Sequence, residues 1–590
     1  VFLQEALFRR KLVLLVCLAA GVLSLSAQAQ TPLGINQQAI TPAPATQPGG
    51  SLGGAIMQTL PATTTSAGPG PSMENRIPKE DRPIVDIEGL RIEIKQFLTP
   101  GLTVISDSEA QAALEPYLGP NKQFQDLLDA AAALKRLLAG KGYFLADAFI
   151  PEQSIMEGIV AIRVLEGRMG KVKIQAEDNV GISLGLLESF LADLKEDSII
   201  ETDVVERAVF LLSDLKGVNI RTIFEPGEKV GTANFIVQVS RARGVEGSVD
   251  FDANGSFYTG VFRVGAGVDF NNLAGVGDMF SLRYSHSAES RHMAYRRVSY
   301  LAPTGASGLK LGVAYSELSY RLGTPEFAPL LAHGKAVVSS LLAAYPVIRT
   351  RNANLIVSAQ VDHRAFRDRQ ETTQRFTDKN TRVRTISLGG DIRDALFGGG
   401  VNVYNLAHTR GDLAFLNPIF QASDQATRNT GGVYNKTNLT FSRLQSISEG
   451  IALYVSYSGQ TANKNLDSSE KFSLGGPNGV RAYPQGEASG DEGWIASGEL
   501  RFRMPTSESI PGTMVVTLFH DAGWARLNKN MMAADVDRTR KIAGLGVGLN
   551  WEVPGDWSLR ASVASRQTAR AESESVLREP RLYVQFTKNF

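Results

Sequence analysis

Cysteine is almost missing from this chain. Of 590 residues the single thiol is Cys17. It lies in an N-terminal apolar run, so the mature chain holds no disulfide and no cysteine-based metal site. Net charge is missing as well: 61 basic residues stand against 60 acidic ones, which argues against a nucleic-acid binder held by a basic field. Beyond the N-terminal segment no apolar run is long enough for a membrane-crossing helix, which speaks against a helical membrane protein. Histidine is scarce. The six copies, His286, His292, His333, His363, His408 and His520, show no metal-ligand spacing, and no Gly-x-x-x-x-Gly-Lys-Ser/Thr phosphate loop occurs. The residues therefore give no catalytic centre, no metal and no cofactor.

What is present begins with an export signal. Arg9, Arg10 and Lys11 precede the apolar run 12–25, and Ala27-Gln28-Ala29 has the small-x-small form of a cleavage site. A lipoprotein site wants a small residue before its cysteine, and Val16 does not fit. The signal peptide is thus expected over 1–29. Residues 30–83 are rich in Pro, Gly, Thr, Ala and Gln, as in Gly68-Pro69-Gly70-Pro71. Such a segment buries too little apolar surface to offset its ordering entropy, and a flexible linker is expected.

Residues 84–243 read as two small α/β units, 84–168 and 169–243. In the first, 84–94 is strand-like, and Ser106 with Glu109 forms a capping-box pattern for a short helix. A second helix carries Leu127, Ala131, Leu134 and Leu138 at helical spacing and stops at Gly140-Lys141-Gly142. Strands are expected at 143–150 and 158–165. The second unit repeats the order: a strand at 172–174, a helix over 182–194, and a helix opened by Asp203 and Glu206. Strands at 218–224 and 233–239 close it.

Residues 244–590 alternate. Ala543, Leu545, Val547, Leu549, Trp551 and Val553 point one way, and Gly544, Gly546, Gly548, Asn550 and Glu552 the other. A period of two with one apolar and one polar face suits a closed barrel with lipid outside and water inside, and a soluble sandwich gives the same local pattern. Three features favour the barrel. Trp551 and Trp557 flank one turn on the apolar face, as an interfacial girdle requires. Glycine crowds the opposite face, and the strand-like end 582–590 finishes on Phe590, which resembles the insertion signal of outer-membrane barrels. Lys588 interrupts the apolar face there, near enough to an interface for its amine to snorkel. At roughly 20 residues per strand and connection the region holds about 16 strands.

Two segments carry more than architecture. Residues 474–483 read Leu-Gly-Gly-Pro-Asn-Gly-Val-Arg-Ala-Tyr, with Val480, Arg481 and Tyr483 as the motif, and a later strand carries Phe519, Asp521 and Gly523. Together they resemble the two-partner secretion transporters, the hemolysin secretion/activation family. Gly140-Lys141-Gly142-Tyr143, Ile150-Pro151-Glu152-Gln153 and Val164-Leu165-Glu166-Gly167-Arg168 are similar to the first polypeptide-transport-associated (POTRA) domain of that family. The resemblance implies a transmembrane antiparallel β-barrel of about 16 strands in the outer membrane, preceded by two periplasmic α/β POTRA domains. It implies a large secreted β-helical exoprotein as partner, outer-membrane lipid around the wall, and no nucleic acid. It also implies an extracellular loop folded into the pore, its Arg481 meeting Asp521. At about 4 Å the Coulomb attraction runs from ~1 kcal/mol in bulk water to ~4 kcal/mol at an effective dielectric of about 20, and a wet lumen favours the lower end.

The sequence departs from the family in two places. Members often have Gly after the arginine; here Ala482 follows, and a turn needing positive φ would be strained. Members can carry an N-terminal plug helix, but no strong amphipathic pattern stands in 30–83. Other readings are a barrel-assembly factor, a barrel enzyme and a passive porin. Two POTRA-like units and the Pro151-Glu152-Gln153 segment favour the secretion branch, and a porin needs no periplasmic modules.

Overall fold

The computed structural model describes residues 72–77, 91–155, 157–289, 293–324, 328–505, 510–531, 539–568, 570–571 and 579–590. The export signal read at 1–29, the plug question and most of the linker lie outside these residues. One piece of the linker departs from its composition. Ser72–Asn75 form a strand, β1, laid parallel on Val218–Pro226, with Met73 opposite Thr222 and Glu74 opposite Ile223. A sheet edge offers unpaired N–H and C=O groups to any extended segment, and composition is blind to such pairing.

The first module comprises β2 (Ile92–Ile94), β3 (Gln96–Leu98), α1 (Asp107–Leu114), β4 (Gly119–Lys122), α2 (Phe124–Gly140), β5 (Asp147–Phe149), β6 (Ile159–Ala161) and β7 (Arg163–Leu165). The capping box forms: Ser106 Oγ accepts the Glu109 N–H and the Glu109 carboxylate accepts the Ser106 N–H, both at 3.3 Å. Leu127, Leu134 and Leu138 of α2 are buried against Phe97, Val160 and Ile162. The helix ends where Gly142 takes φ +99° and the Tyr143 N–H returns to the Leu138 carbonyl at 3.0 Å. The strand expected over 143–150 shrinks to β5, because Ala146 N–H bonds the Tyr143 carbonyl at 3.0 Å and closes a turn first. Two of the motif-like segments act as staples. The Gln153 amide clamps Ala161, accepting its N–H at 2.7 Å and donating to its carbonyl at 2.8 Å. The buried Glu166 carboxylate accepts the Val104 N–H at 3.0 Å.

The second module comprises β8 (Arg168–Ala176), α3 (Leu184–Phe190), α4 (Thr202–Ser213), β9 (Val218–Pro226) and β10 (Thr232–Arg241), with sheet order β1-β9-β10-β8. Its core joins Leu187, Val205, Val209 and Leu212 to Phe224, Phe235 and Val237. Two expectations need correction. α3 is shorter than the helix read over 182–194, since 191–193 wind as turns. Asp203 and Glu206 do not form a cap: α4 starts at Glu201 without any side-chain cap bond. Glu206 instead accepts the Arg351 N–H at 2.9 Å, a tertiary contact with the barrel that overrides the local motif.

The remaining strands form one closed antiparallel barrel of sixteen. They are β11 (Val245–Asp252), β12 (Arg263–Asn271), β13 (Met279–Ser287), β14 (Met293–Pro303), β15 (Lys310–Arg321), β16 (Ala332–Arg349), β17 (Ala353–Gln370) and β18 (Arg375–Asp394). β19 (Gly400–Phe415), β20 (Gly432–Ser448), β21 (Ile451–Ala462), β22 (Glu492–Arg503), β23 (Thr513–Arg526), β24 (Thr539–Val553), β25 (Trp557–Arg566) and β26 (Arg581–Asn589) complete it. Antiparallel pairing of β11 with β26 closes the ring. The exposed large hydrophobics follow the period of two, as in Leu518, Leu545, Val547, Val563 and Leu582, and make the outer belt. Trp551 and Trp557 meet edge-to-face at 4.9 Å beside the turn 554–556, and the Lys588 ammonium reaches Asp556 in that turn.

The second module sits on one end of this barrel through α4. Arg207 donates to the Pro346 carbonyl at 3.0 Å, and Asp214 pairs with Arg349 at 2.7 Å. Turns 304–309 and 350–352 lie at this near end. The connection between β21 and β22, 463–491, leaves from the far end and folds back into the lumen. The wall is uneven in height: β16 and β17 have 18 residues and β18 has 20, against 8 in β11 and 9 in β26.

Candidate functional site

The loop 463–491 has a neck, a tip and a stem. At the neck Phe472 and Gly490 exchange backbone hydrogen bonds at 2.7 and 2.8 Å. The tip turns tightly, with Val480 N–H on the Leu474 carbonyl at 2.8 Å and Tyr483 N–H on the Val480 carbonyl at 3.0 Å. That turn aims the Arg481 side chain at the wall formed by β22 and β23.

There the structure brings the two sequence segments together. Arg481 Nε lies 2.8 Å from Asp521 Oδ2 and Nη2 lies 2.7 Å from Oδ1, a two-point fork, while the Arg481 backbone N–H adds a third bond at 3.0 Å. Ser497 Oγ donates to Asp521 at 2.6 Å and accepts from Arg481 at 3.0 Å. Glu499 holds the remaining guanidinium nitrogen at 2.8 Å and is itself held by Arg501 at 2.7 Å. The guanidinium carbon sits 3.3 Å from the centre of the Phe519 ring, a stacked cation–π arrangement. Asp521 is fully buried and the Arg481 side chain keeps 15% exposure. This corrects the expectation of a wet contact: loop and wall exclude water from the pair, so its strength lies above the bulk-water figure.

Val480 and Tyr483 are also buried. The Tyr483 hydroxyl meets Thr568 Oγ1 at 2.9 Å, and the Tyr583 hydroxyl of β26 donates to the Tyr483 carbonyl at 2.7 Å. The glycines of the inner face now have a reason. Gly523 leaves room for Leu474 and Val480, Gly546 for the Phe519 ring, and Gly544 for the Ala482 methyl. Ala482 is not among the residues with positive φ. The anticipated strain therefore does not arise, and the extra methyl is taken up by the gap over Gly544.

The stem was not legible in the sequence. Glu470 is buried between Arg364 and Lys436, each at 3.0 Å, and Asp467 meets Lys379 at 2.8 Å. Gln460 donates to the Glu470 carbonyl at 2.9 Å and the Asp491 carbonyl at 3.1 Å. The loop thus bridges the lumen, its stem on β17, β18, β20 and β21 and its tip on β22 to β26. Arg364, Lys379 and Lys436 stand on the polar face of long strands, so their inward direction is readable from alternation. Their partners in the loop are not.

A sixteen-stranded barrel, filled by its own loop and preceded by two α/β modules at one end, defines an outer-membrane transporter with periplasmic POTRA-like domains. Residues 231–551 match the family described as haemolysin secretion/activation protein ShlB/FhaC/HecB, and residues 92–167 match the ShlB-type POTRA domain. The chain belongs to this two-partner secretion family. It is 28% identical over 469 residues to the heme/hemopexin transporter protein HuxB of Haemophilus influenzae (strain 86-028NP), covering 78% of this chain and 80% of that one. It is 21% identical over 454 residues to the outer membrane transporter CdiB of Escherichia coli O6:K15:H31, covering 75% and 74%. The solved structure of CdiB from Escherichia coli superposes with a TM-score of 0.64 at 18% identity, over 91% of this chain and 95% of that one. The chain is accordingly an outer-membrane transporter of a family whose members carry a large secreted exoprotein across the outer membrane.

Proposed function

We propose that the Arg481 tip is the gate of this transporter, and that cargo passes when the tip leaves Asp521 and the lumen clears. The reading rests on one observation: the buried Arg481–Asp521 fork closes a loop that lies across the pore. The cargo arrives unfolded in the periplasm and adds a strand to the second module, where β1 covers the β9 edge with only four residues. It is a β-helical exoprotein. Such a chain folds coil by coil against its own neighbour, so each coil formed outside opposes return without nucleotide hydrolysis.

The test is secretion of the partner exoprotein by cells carrying Arg481→Asp or Asp521→Arg, with heat-modifiable mobility as the check on barrel assembly. Both variants are expected to assemble and to secrete less. Normal secretion by both removes the pair from the mechanism. The docking step has its own test. Met73 faces Thr222, so Met73→Cys with Thr222→Cys places a disulfide across the covered edge. Oxidation should block secretion and reduction restore it; secretion indifferent to redox state refutes the docking edge.

A further inference from the structure

The outer face of the tall wall carries an unusual set of charges. Alternation turns Thr381, Val383 and Thr409 into the lumen, where they are buried, and turns Arg382, Arg384 and Arg410 outward, where they are exposed. On β18 the outward series climbs from the near end as Ile392, Leu388 and Ile386, all exposed to the bilayer, and then changes to Arg384 and Arg382. β17 changes in the same way from Val361 to His363 and Arg367, and β19 from Leu406 to His408 and Arg410. The arginines therefore begin where the apolar belt stops, on the extracellular side.

Their pairing is unfavourable unless something else is present. Arg384 stands directly across from Arg410 in the ladder, and Arg367 lies across from Lys335. Like charges in facing positions repel. Neighbouring cations are neutralised within the protein: Arg369 meets Asp378 at 2.6 Å, Lys335 meets Glu317 at 2.8 Å, and Arg443 at the periplasmic rim meets Asp394 at 2.6 Å. By contrast the side chains of Arg367, Arg382, Arg384 and Arg410 make no hydrogen bond or ion pair among the described residues. Two acids face them in register, Asp412 opposite Arg382 and Asp378 opposite Arg367, and Asp378 is already held by Arg369.

We propose that Arg367, Arg382, Arg384 and Arg410 form a binding site for the phosphate groups of an anionic outer-leaflet glycolipid. Its acyl chains would lie against Val361, Ile386 and Leu406 directly below. Charge complementarity selects the head group, because guanidinium forks grip phosphate at two points, and continuity with the lipid belt selects a lipid over a soluble anion. The site belongs to the wall and needs the barrel in its membrane, but no part of the gating scheme above.

Full-length protein in detergent is incubated with diphosphoryl lipid A or with its dephosphorylated form, and bound lipid is counted by native mass spectrometry. Wild type should retain the diphosphoryl form and release the dephosphorylated one. The triple variant R382Q/R384Q/R410Q should lose affinity by about tenfold or more, while R384K/R410K, which keeps the charge and loses the fork, should bind more tightly than the glutamine variant and less tightly than wild type. Heat-modifiable mobility verifies that both variants are folded. Equal retention of the two lipids, unchanged binding by the glutamine variant, or displacement of the lipid by excess inorganic phosphate overturns the proposal.

Discussion

At Asp521 a single carboxylate accepts three bonds from Arg481 and one from Ser497, and no part of it reaches water. Removing one member of a buried charge pair strands the other at a cost of about 3–5 kcal/mol. Glu499 stays behind to share the guanidinium in Asp521→Ala, so the lower end is expected. That is still enough to free the tip for much of the time. Conductance of Asp521→Ala in planar bilayers should rise above wild type, and an unchanged conductance would mean that the tip is held by other contacts. Gly546 makes a second residue-scale case. A Cβ there would strike the Phe519 ring and the Val563 carbonyl, and overpacking of this kind costs about 1–3 kcal/mol. Gly546→Leu should lower the temperature at which the barrel loses its heat-modifiable mobility. A third case lies in the first module. Lys141 and Ser106 hold the Glu109 carboxyl down to about 2 from an ordinary 4.5. The folded pKa lies below the unfolded one, so the ionised capping box stabilises α1 fully above pH 4.5 and loses that effect as pH falls through about 2. Hydrogen exchange at the start of α1 should therefore be faster in Glu109→Gln than in wild type at pH 6, with the difference vanishing below pH 2.

Among the elements, the barrel strands were the most readable and the short module strands the least. Alternation over 513–523 and 543–553 assigns Leu518, Leu545 and Val547 to lipid and Thr517, Phe519 and Asp521 to the lumen, and their exposures divide in that way. The signal is strong because each strand has lipid on one side and polar groups on the other. β4 gives no such signal. Its Gly-Pro-Asn-Lys reads as a turn and becomes a strand only by pairing with β2. Glu206 fails for a related reason: the Asp203–Glu206 spacing is local, while the Arg351 amide that claims the side chain is far away in sequence. The tip motif was legible because two segments resembled a family pattern. The stem was not, since nothing in the spacing of Asp467 and Glu470 names Lys379, Arg364 or Lys436. Glu470→Ala leaves Arg364 and Lys436 without their shared carboxylate. The loop in this variant should be cut faster by protease added outside intact cells, while the Arg481 tip contacts remain. Unchanged cleavage would show that the tip alone holds the loop.

For the molecule as a whole, the uneven wall, the crossing loop and the docked module share two strands. α4 grips the periplasmic ends of β16 and β17 through Asp214 on Arg349 and Glu206 on the Arg351 amide. Further along β17, Arg364 holds the loop stem through Glu470. The same ribbon is thus fastened to the second module at its foot and to the loop stem at its height. A hydrogen-bonded hairpin resists stretching and bending, so a tug on the second module reaches the loop without crossing a slack joint, as tension in a bell-rope reaches the clapper.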